Sequence, residues 1–312
     1  MNLRQLESLV SVADHGTFSA AADVLGTVQS NVSTHISHLE RELKVTLYDR
    51  ATGRLTEEGQ IVVARARRVA AELEALTADV VTHTRDVSGT VRVGMIGTTA
   101  RWLAPQVLEV ASSRHPGLRL VVMDGTSTTL EPRLASGQLD LAILNLPVSE
   151  RDVVAEPLFE EDLVLVVSVA DALSRRSEIS LVELASMDLL LPMEGTAFRD
   201  ELDQACALSG VHLRAKAELD GTRLIASLTF DGHGPAVLPA TAVPGFLRAD
   251  WHLVPIEGLP PRKVGVGQRS RALLSAPARA LRSILFEVVH HGGALPQGLH
   301  LPVPAEPSMA GQ

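Results

Sequence analysis

Three successive patterns in this sequence predict a small helical domain, one long helix and a two-lobed α/β domain. The first sixty residues contain short apolar stripes at helical spacing. A heptad repeat then runs from Val62 to Val87 without a slip. After Gly89, strand-like apolar runs alternate with helix-length segments, as in α/β proteins. The predicted boundaries are 1–58, 59–88 and 89–292, followed by a disordered tail rich in Pro and Gly over 293–312.

Three helices and a small β-wing are predicted in the first domain. Leu3, Leu6 and Leu9 begin an amphipathic helix, which Gly16 ends, and Thr17 caps a second helix over 19–25. A three-residue turn at 26–28 leads into a third helix over 29–43, which is the helix-turn-helix arrangement. Two extended pieces around Gly53 then predict a wing that carries two arginines.

The third helix has an outer face of short polar side chains. Its apolar stripe is Val32, Ile36, Leu39 and Leu43, and the remaining residues before Glu40 carry amide, hydroxyl or imidazole groups. Such a face suits the floor of the DNA major groove, although a polar surface helix is the simpler alternative. The predicted DNA-contacting residues are Gln29, Ser30, Asn31, Ser33, Thr34, His35 and His38, together with Arg4, Arg50 and Arg54 for the phosphates.

Bulk charge does not support DNA binding by this domain. Residues 1–60 contain five Lys and Arg against eight Asp and Glu, a net charge of −3. DNA binding is supported instead by where the charged residues lie, because the polar face of the third helix has no acid before Glu40. We therefore expect few phosphate contacts and a weak dependence of affinity on salt. His35 and His38 are candidates for tighter binding at mildly acidic pH, and neutral surface histidines are the alternative.

Residues 1–60 resemble the DNA-binding domain of the LysR-type transcriptional regulators. The matching residues are Met1-Asn2-Leu3-Arg4-Gln5-Leu6, Gly16-Thr17-Phe18-Ser19-Ala20-Ala21-Ala22, Leu25, Gln29-Ser30, Val32-Ser33, Ile36, Leu39-Glu40, Leu43, Leu47-Tyr48, Arg50 and Leu55-Thr56-Glu57-Glu58-Gly59. The resemblance implies a winged helix-turn-helix, a linker helix, a periplasmic-binding-protein-like effector domain and homo-oligomers on inverted-repeat DNA sites. Relatives often carry Pro-Ala after Gln-Ser, where this chain has Asn31.

The long helix is predicted to mediate self-association. Its narrow apolar seam needs a partner, and no second heptad segment exists in the chain. The seam residues are Val62, Ala66, Val69, Leu73, Leu76 and Val80. We expect a homodimer or homotetramer with antiparallel helices, in which Arg65 meets Asp79 or Asp86 of the partner chain. Docking of the seam on the chain's own C-terminal domain is the alternative.

Two α/β lobes are predicted over 89–292. The first comprises about 89–162 plus 264–292, and the second about 163–263. Alternating strands and helices favour parallel sheets with right-handed crossovers. Ligands of such sheets bind beyond the carboxyl ends of the strands, where this chain is rich in hydroxyls. The predicted effector-binding residues are Thr98, Thr99, Arg101, Thr126, Ser127, Asn145, Thr196, Phe198, Arg199 and His233.

A small-molecule effector is expected between the lobes. Hydroxyls and helix N-terminal amides suit a carboxylate or another small anion, with Arg101 and Arg199 as its charge partners. Helix capping alone is the alternative explanation for Thr98, Ser127 and Thr196.

Other classes of function have little support. No catalytic motif is present, so we expect no enzyme activity, no cofactor and no metal site; His290 and His291 point in different directions on a helix. The single cysteine, Cys206, excludes an internal disulfide and fits a small core residue. No apolar run is long enough to span a bilayer, and no signal peptide is evident, which favours a cytoplasmic location. The prediction is an effector-modulated, sequence-specific transcriptional regulator; the alternative is a cytoplasmic solute-binding-type protein without a specific DNA target.

Overall fold

The N-terminal domain has the predicted three helices and wing. A computed structural model describes residues 1–84, 86–247, 249–270 and 272–302. The elements of this domain are α1 Leu3–His15, α2 Phe18–Val24, α3 Gln29–Leu43, β1 Tyr48–Asp49 and β2 Arg54–Leu55.

Local capping explains where these helices begin and end. The Asn2 side chain accepts a hydrogen bond from the Gln5 amide, and the Gln5 side chain accepts one from the Asn2 amide. Gly16 ends α1 with a φ of 79°, a left-handed conformation that glycine adopts readily. Thr17 then accepts a bond from the Ala20 amide, so both predicted cap residues are confirmed.

The long helix α4, Glu57–Thr84, connects the N-terminal domain to the lobes. It is about 40 Å long and ends before the predicted residue 88, because the chain enters a strand there. Gly59 packs directly on the N-terminal domain, since a Cβ at this position would lie 2.0 Å from the carbonyl oxygen of Leu47.

Lobe I is a six-stranded sheet covered by three helices. The strand order is β14-β6-β13-β5-β3-β4. Its elements are β3 Ser88–Ile96, α5 Gly97–Arg114, β4 Gly117–Gly125, α6 Ser127–Ser136, β5 Leu141–Asn145, β6 Val153–Glu161, β13 Arg262–Arg269, α10 Ala276–His291 and β14 Leu299–His300.

Lobe II is a second six-stranded sheet, of order β10-β9-β11-β7-β12-β8. Its elements are β7 Leu163–Ser168, β8 Ile179–Ser180, α7 Leu181–Ala185, β9 Asp188–Pro192, α8 Ala197–Leu208, β10 Arg214–Leu219, α9 Thr222–Phe230, β11 Ala236–Pro239 and β12 Trp251–Glu257, with short 3-10 turns at Ala172–Arg175, Ala240–Ala242 and Gly245–Leu247. Two chain crossings join the lobes, at the end of β6 and at the start of β13.

The sheets are mixed, so the expectation of purely parallel sheets was wrong. In lobe I, β3 is parallel to β4 and β5, but β13 is antiparallel to β5 and β6. In lobe II, β7 is antiparallel to β11 and β12. The sequence did not reveal β6 and β12 because each contains a proline, Pro157 or Pro255, which normally argues against a strand. Pro157 is accommodated next to a register shift in the β6–β13 pair.

Part of the predicted disordered tail is a strand. Leu299 pairs with Glu161 and His300 with Glu160, so β14 extends the lobe I sheet. The Asp162 amide donates to the carbonyl of Gly298 at 2.8 Å, and Leu299 is buried. Because these backbone groups have partners, the Pro- and Gly-rich composition does not prevent order here. Residues 303–312 lie outside the described part of the chain.

Candidate functional site

The polar face of α3 lies on the surface of the N-terminal domain, as predicted. Val32, Ile36 and Leu39 are fully buried, so the helix is fixed by its apolar stripe. The Asn31 side-chain nitrogen donates to the Thr27 hydroxyl at 2.9 Å, which orients the amide. Five of the predicted contact residues are exposed on this face: Gln29, Ser30, Asn31, Thr34 and His38.

The wing is fastened to α3 through Arg50. Its guanidinium donates to the Ser37 hydroxyl at 2.9 Å and to the Ser33 hydroxyl at 3.4 Å. It also lies 5.9 Å from the centre of the Phe18 ring. Ser37 was missed from the sequence because nothing in the helical pattern distinguishes it from its polar neighbours. Arg50 is thus a structural link as well as an exposed cation.

His35 does not lie in the exposed row, which differs from the prediction. It is half-buried, with Nδ1 2.8 Å from the Ser8 hydroxyl. That hydroxyl donates its one hydrogen to the carbonyl of Arg4, so Nδ1 of His35 is the donor to Ser8. Because its ring binds α1, His35 orients α3 within the domain and its Nδ1 is not available to a base.

Several acids of this domain are engaged with other groups. Glu40 accepts from the amides of Leu47 and Tyr48, at 2.8 and 3.2 Å. Asp49 accepts from the Thr52 hydroxyl and the Ala51 amide, and these bonds, the first most strongly, lower the pKa of its carboxyl. By contrast, Arg4 and Arg54 are exposed and form no ion pair among the described residues. Cations therefore remain available although the net charge is negative.

The predicted residues of lobe I converge at one edge of its sheet. Ile96 at the end of β3 pairs with Gly125 at the end of β4, and β5 ends beside them at Asn145. The Asn145 amide donates to the Ser127 hydroxyl at 2.9 Å. Thr98 and Thr99, in the first turn of α5, are buried, and Thr126 caps α6.

Two oxygens at this edge have no hydrogen-bond partner within the described part of the protein. Among the buried side-chain polar atoms of the described residues, only Thr99 Oγ1 and Asn145 Oδ1 have none. Buried polar atoms are normally paired, and leaving one unpaired costs about 1–3 kcal/mol. Their position at the carboxyl ends of β3 and β5 is where an α/β sheet binds ligands.

The predicted residues of lobe II have other roles. Thr196 caps α8 by accepting from the Arg199 amide. Arg199 is buried and donates to Asp203 and Glu218, each at 2.9 Å, so the chain's own acids engage the guanidinium that was expected to bind a ligand charge. Phe198 packs against the lobe II core rather than lining the cleft. Asp203, one helical turn after Arg199, could have been recognised from the sequence as a partner, whereas Glu218 lies on a separate strand.

The structure also places His233 and Arg101 away from the site at which they were expected. His233 precedes β11, which runs parallel to β9, so it lies at the opposite edge of the lobe II sheet from Thr196. Its carbonyl accepts a bond from Lys216. Arg101 is exposed on α5 and lines a different cavity, described below.

One inter-lobe contact was not predictable from the sequence. Arg223, at the start of α9 in lobe II, forms an ion pair with Asp124 at the end of β4 in lobe I. This pair shows that the carboxyl ends of β9 and β10 face those of β3 and β4. The two residues are distant in sequence and carry no motif that would have linked them.

The linker seam is largely uncovered. Ala66 is buried against the N-terminal domain, but Leu76 and Val80 are 62% and 61% exposed. The acids beside the seam already have partners within the same chain. Glu72 lies 3.4 Å from Arg269, and Asp79 accepts a hydrogen bond from the Ala276 amide at 2.6 Å. Asp79, one of the two acids expected to meet Arg65 of a partner chain, is thus already bonded to lobe I, and the antiparallel arrangement stays a prediction.

Cys206 is part of the lobe II core. It is 1% exposed, and burial, followed by the charge of Asp203, raises the pKa of its thiol.

In the described residues, no cluster of His, Cys, Asp or Glu is arranged to hold a metal ion. No helix in the same ranges is both long and apolar enough to cross a bilayer.

Comparisons with known proteins identify the family. Residues 3–60 match the bacterial regulatory helix-turn-helix of the lysR family, and residues 84–289 match the LysR substrate binding domain. A probable hydrogen peroxide-inducible genes activator of Mycobacterium leprae is 33% identical over 298 residues, covering 92% of this chain and 94% of its own. One from Streptomyces viridosporus is 32% identical, with the same coverage of the two chains.

A solved structure with the same fold spans nearly the whole chain. It is a cysteine-to-aspartate variant of full-length OxyR from Pseudomonas aeruginosa, 24% identical, with a TM-score of 0.76 over 97% of this chain and 99% of that one. The predicted order of winged helix-turn-helix, linker helix and two α/β lobes is confirmed. The chain belongs to the LysR family and is a DNA-binding transcriptional regulator rather than an enzyme.

Proposed function

We propose that this regulator reads its operator with the exposed face of α3 and responds to a small polar ligand held between the lobes. The observation that carries the proposal is the pair of buried, unpartnered oxygens on Thr99 and Asn145. A folded protein that leaves these atoms unpaired has hydrogen-bonding capacity ready for a ligand.

The DNA-reading surface is a subset of the residues predicted from the sequence. Gln29, Asn31, Thr34 and His38 offer both donors and acceptors to base edges in the major groove. Arg50, held by Ser33 and Ser37, lies beside this face where a phosphate would approach. His35 supports the surface through α1 instead of contacting bases.

The ligand is proposed to bind through hydrogen bonds more than through charge. Asn145 Oδ1 accepts only, and the Thr99 hydroxyl both donates and accepts, so a ligand with hydroxyl or N–H groups fits them. Arg199 is held by Asp203 and Glu218, and Arg223 is paired with Asp124. The case for a carboxylate in this cleft is thereby weakened.

Peroxide sensing by a thiol does not fit this chain. The relatives named above are described as hydrogen peroxide-inducible activators. A thiol reacts with peroxide as its thiolate, and burial of Cys206 disfavours that form. One cysteine also cannot close a disulfide within the chain. We therefore propose that the response depends on ligand binding and not on cysteine oxidation.

Two chains are proposed to form the DNA-binding unit through α4. Val69, Leu73, Leu76 and Val80 leave a continuous apolar stripe exposed, which a second copy would cover. Such a pair would bind an inverted-repeat site, one half-site per head, as a homodimer or as half of a homotetramer. Because its DNA target lies there, we place the regulator in the cytoplasm.

Selection from random double-stranded DNA tests the reading surface. Replacing Asn31 and Thr34 together with alanine is expected to lower specific affinity about 10- to 100-fold, because two base-facing side chains lose their polar groups. Gln60→Ala, an exposed change at the start of α4, is the matched control and should leave affinity unchanged. Recovery of the same DNA sequences with the same affinity by the double variant would contradict the proposal.

Salt dependence tests the phosphate contacts. With Arg4, Arg50 and Arg54 as the contacts of each head, log K should fall with log salt at a slope of about −3 per head. Arg54→Gln should make the slope shallower by about one unit per head. A slope several times steeper in the parent protein would show that other cations bind the phosphates.

A further inference from the structure

A second cavity lies where α5 of lobe I meets the chain that follows β11. It has a volume of about 450 Å³, within the usual range for small-molecule sites. Its walls come from three parts of the fold: Arg101 and Trp102 of α5, the segment from Thr241 through Val243, Pro244, Gly245 and Phe246, and Pro296 of the tail. Neither Thr99 nor Asn145 is among its lining residues.

The described residues that line this cavity are mostly apolar, with Arg101 as their one cation. Phe246 is 81% exposed although its ring borders the cavity. Arg101 is exposed and has no ion pair within the described ranges of the chain. The remaining side-chain hydroxyl, on Thr241, is already bonded to Glu161 at 2.8 Å. An unpaired guanidinium beside aromatic and proline side chains has the character of a site for an amphipathic anion.

We propose that this cavity binds a small amphipathic carboxylate. Arg101 would bind the carboxylate in its two-pronged geometry, and Trp102, Phe246 and Pro296 would cover the hydrocarbon part. The charge is complementary, because the described residues that line the cavity include one arginine and no acid. The ligand differs in class from the polar one proposed for the cleft.

The cavity also borders the hinge between the lobes. The Thr241 amide and hydroxyl both donate to Glu161, which is fully buried and paired with Arg262. Glu161 ends β6 and Arg262 begins β13, the two strands that cross between the lobes. A ligand touching α5 on one side and 243–246 on the other would favour one relative position of the lobes. The site is thus placed to modulate the regulator independently of the cleft.

Fluorescence of Trp102 gives a direct test in the full chain without DNA. Trp251→Phe leaves Trp102 as the only tryptophan. Titration with octanoate is expected to shift its emission in a saturable way, and octanamide, which has the same chain without charge, to bind about tenfold more weakly. Phe246→Ser should weaken the binding of both probes.

The matched pair of variants is Arg101→Gln and Arg119→Gln, both exposed arginines of lobe I. The first should bring octanoate and octanamide to about the same affinity, and the second should leave the tenfold preference intact. Circular dichroism confirms that both variants fold. No saturable shift, equal binding of the two probes by the parent, or a preference that survives in Arg101→Gln would each overturn the proposal. None of these results bears on DNA binding or on the cleft.

Discussion

The facing edges of the two lobes are built alike but differ in how their polar groups are used. In lobe I, Thr99 and Asn145 each keep a buried oxygen without a partner. In lobe II, Arg199 occupies a comparable place after a strand but is bonded to Asp203, Glu218 and the carbonyl of Pro192. A residue's position after a strand therefore does not decide whether it is available to a ligand; its local partners do.

Replacing Arg199 should have the largest effect on the lobe II side of this comparison. Arg199→Met leaves the carbonyl of Pro192 and two carboxylates without their donor. We expect a loss of about 2–3 kcal/mol in the free energy of unfolding, less than for a fully buried pair because both carboxylates are partly exposed. Urea unfolding measures the loss.

The control for Arg199→Met is Arg175→Met, an exposed arginine in the 3-10 turn of the same lobe. It should change stability by less than about 0.5 kcal/mol. An equally mild effect of Arg199→Met would contradict a structural role for these ion pairs. Loss of a ligand response without loss of stability would make Arg199 a ligand residue.

Thr99→Val tests the lobe I side. Here we expect a gain in the free energy of unfolding, where Arg199→Met is expected to cause a loss. The substitution removes a buried hydroxyl that has no partner while keeping the side chain's shape. We expect a gain of about 1 kcal/mol in the free energy of unfolding of the ligand-free protein, because the cost of burying that hydroxyl disappears. Effector binding in the cleft should be lost in the same variant.

Thr229→Val is the matched control for that change. Thr229 is also fully buried, but its hydroxyl donates to the carbonyl of Ile225 at 2.9 Å. This variant should lose about 0.5–1.5 kcal/mol. Urea unfolding of both variants settles the comparison, and a loss of stability in Thr99→Val as large as in Thr229→Val would show that Thr99 is bonded in solution.

Sequence periodicity predicted most of the fold because the decisive information was local. The helical spacing of Val32, Ile36 and Leu39 and the caps at Gly16 and Thr17 correspond to structure within a few residues. Two of the strands that were missed, β6 and β12, pair with strands distant in sequence and contain prolines. Their pairing depends on the tertiary arrangement, which periodicity does not report.

The candidate site was predictable only in part, for a related reason. Lobe I residues such as Ser127 and Asn145 converge because parallel strands end at one edge, which follows from the strand order. Whether Arg199 was free depended on Glu218, a residue of another strand. The inter-lobe pair of Arg223 and Asp124 depended on how the lobes face each other, and no local pattern encodes that.

The smallest effect on stability is expected from the titration of Cys206, the buried thiol of lobe II. Its raised pKa means that the unfolded chain loses this proton before the folded chain does as pH rises. The stability that this group contributes is therefore full below the ordinary thiol pKa of about 8.5 and is lost as pH rises through the folded value. Cys206→Ala should follow the parent from pH 6 to about 8 with a constant offset, and the parent should lose relative stability above that.

From pH 6 to about 8, peroxide should leave Cys206 of the folded parent unoxidised, as judged by the mass of the peptide that contains it, because the thiolate is scarce and the side chain is 1% exposed. The urea-unfolded parent is the positive control for oxidation, and DNA binding by Cys206→Ala should match the parent with and without peroxide. Rapid oxidation of the folded protein, accompanied by a change in DNA binding that Cys206→Ala lacks, would make lobe II the sensing side and reverse the contrast with lobe I.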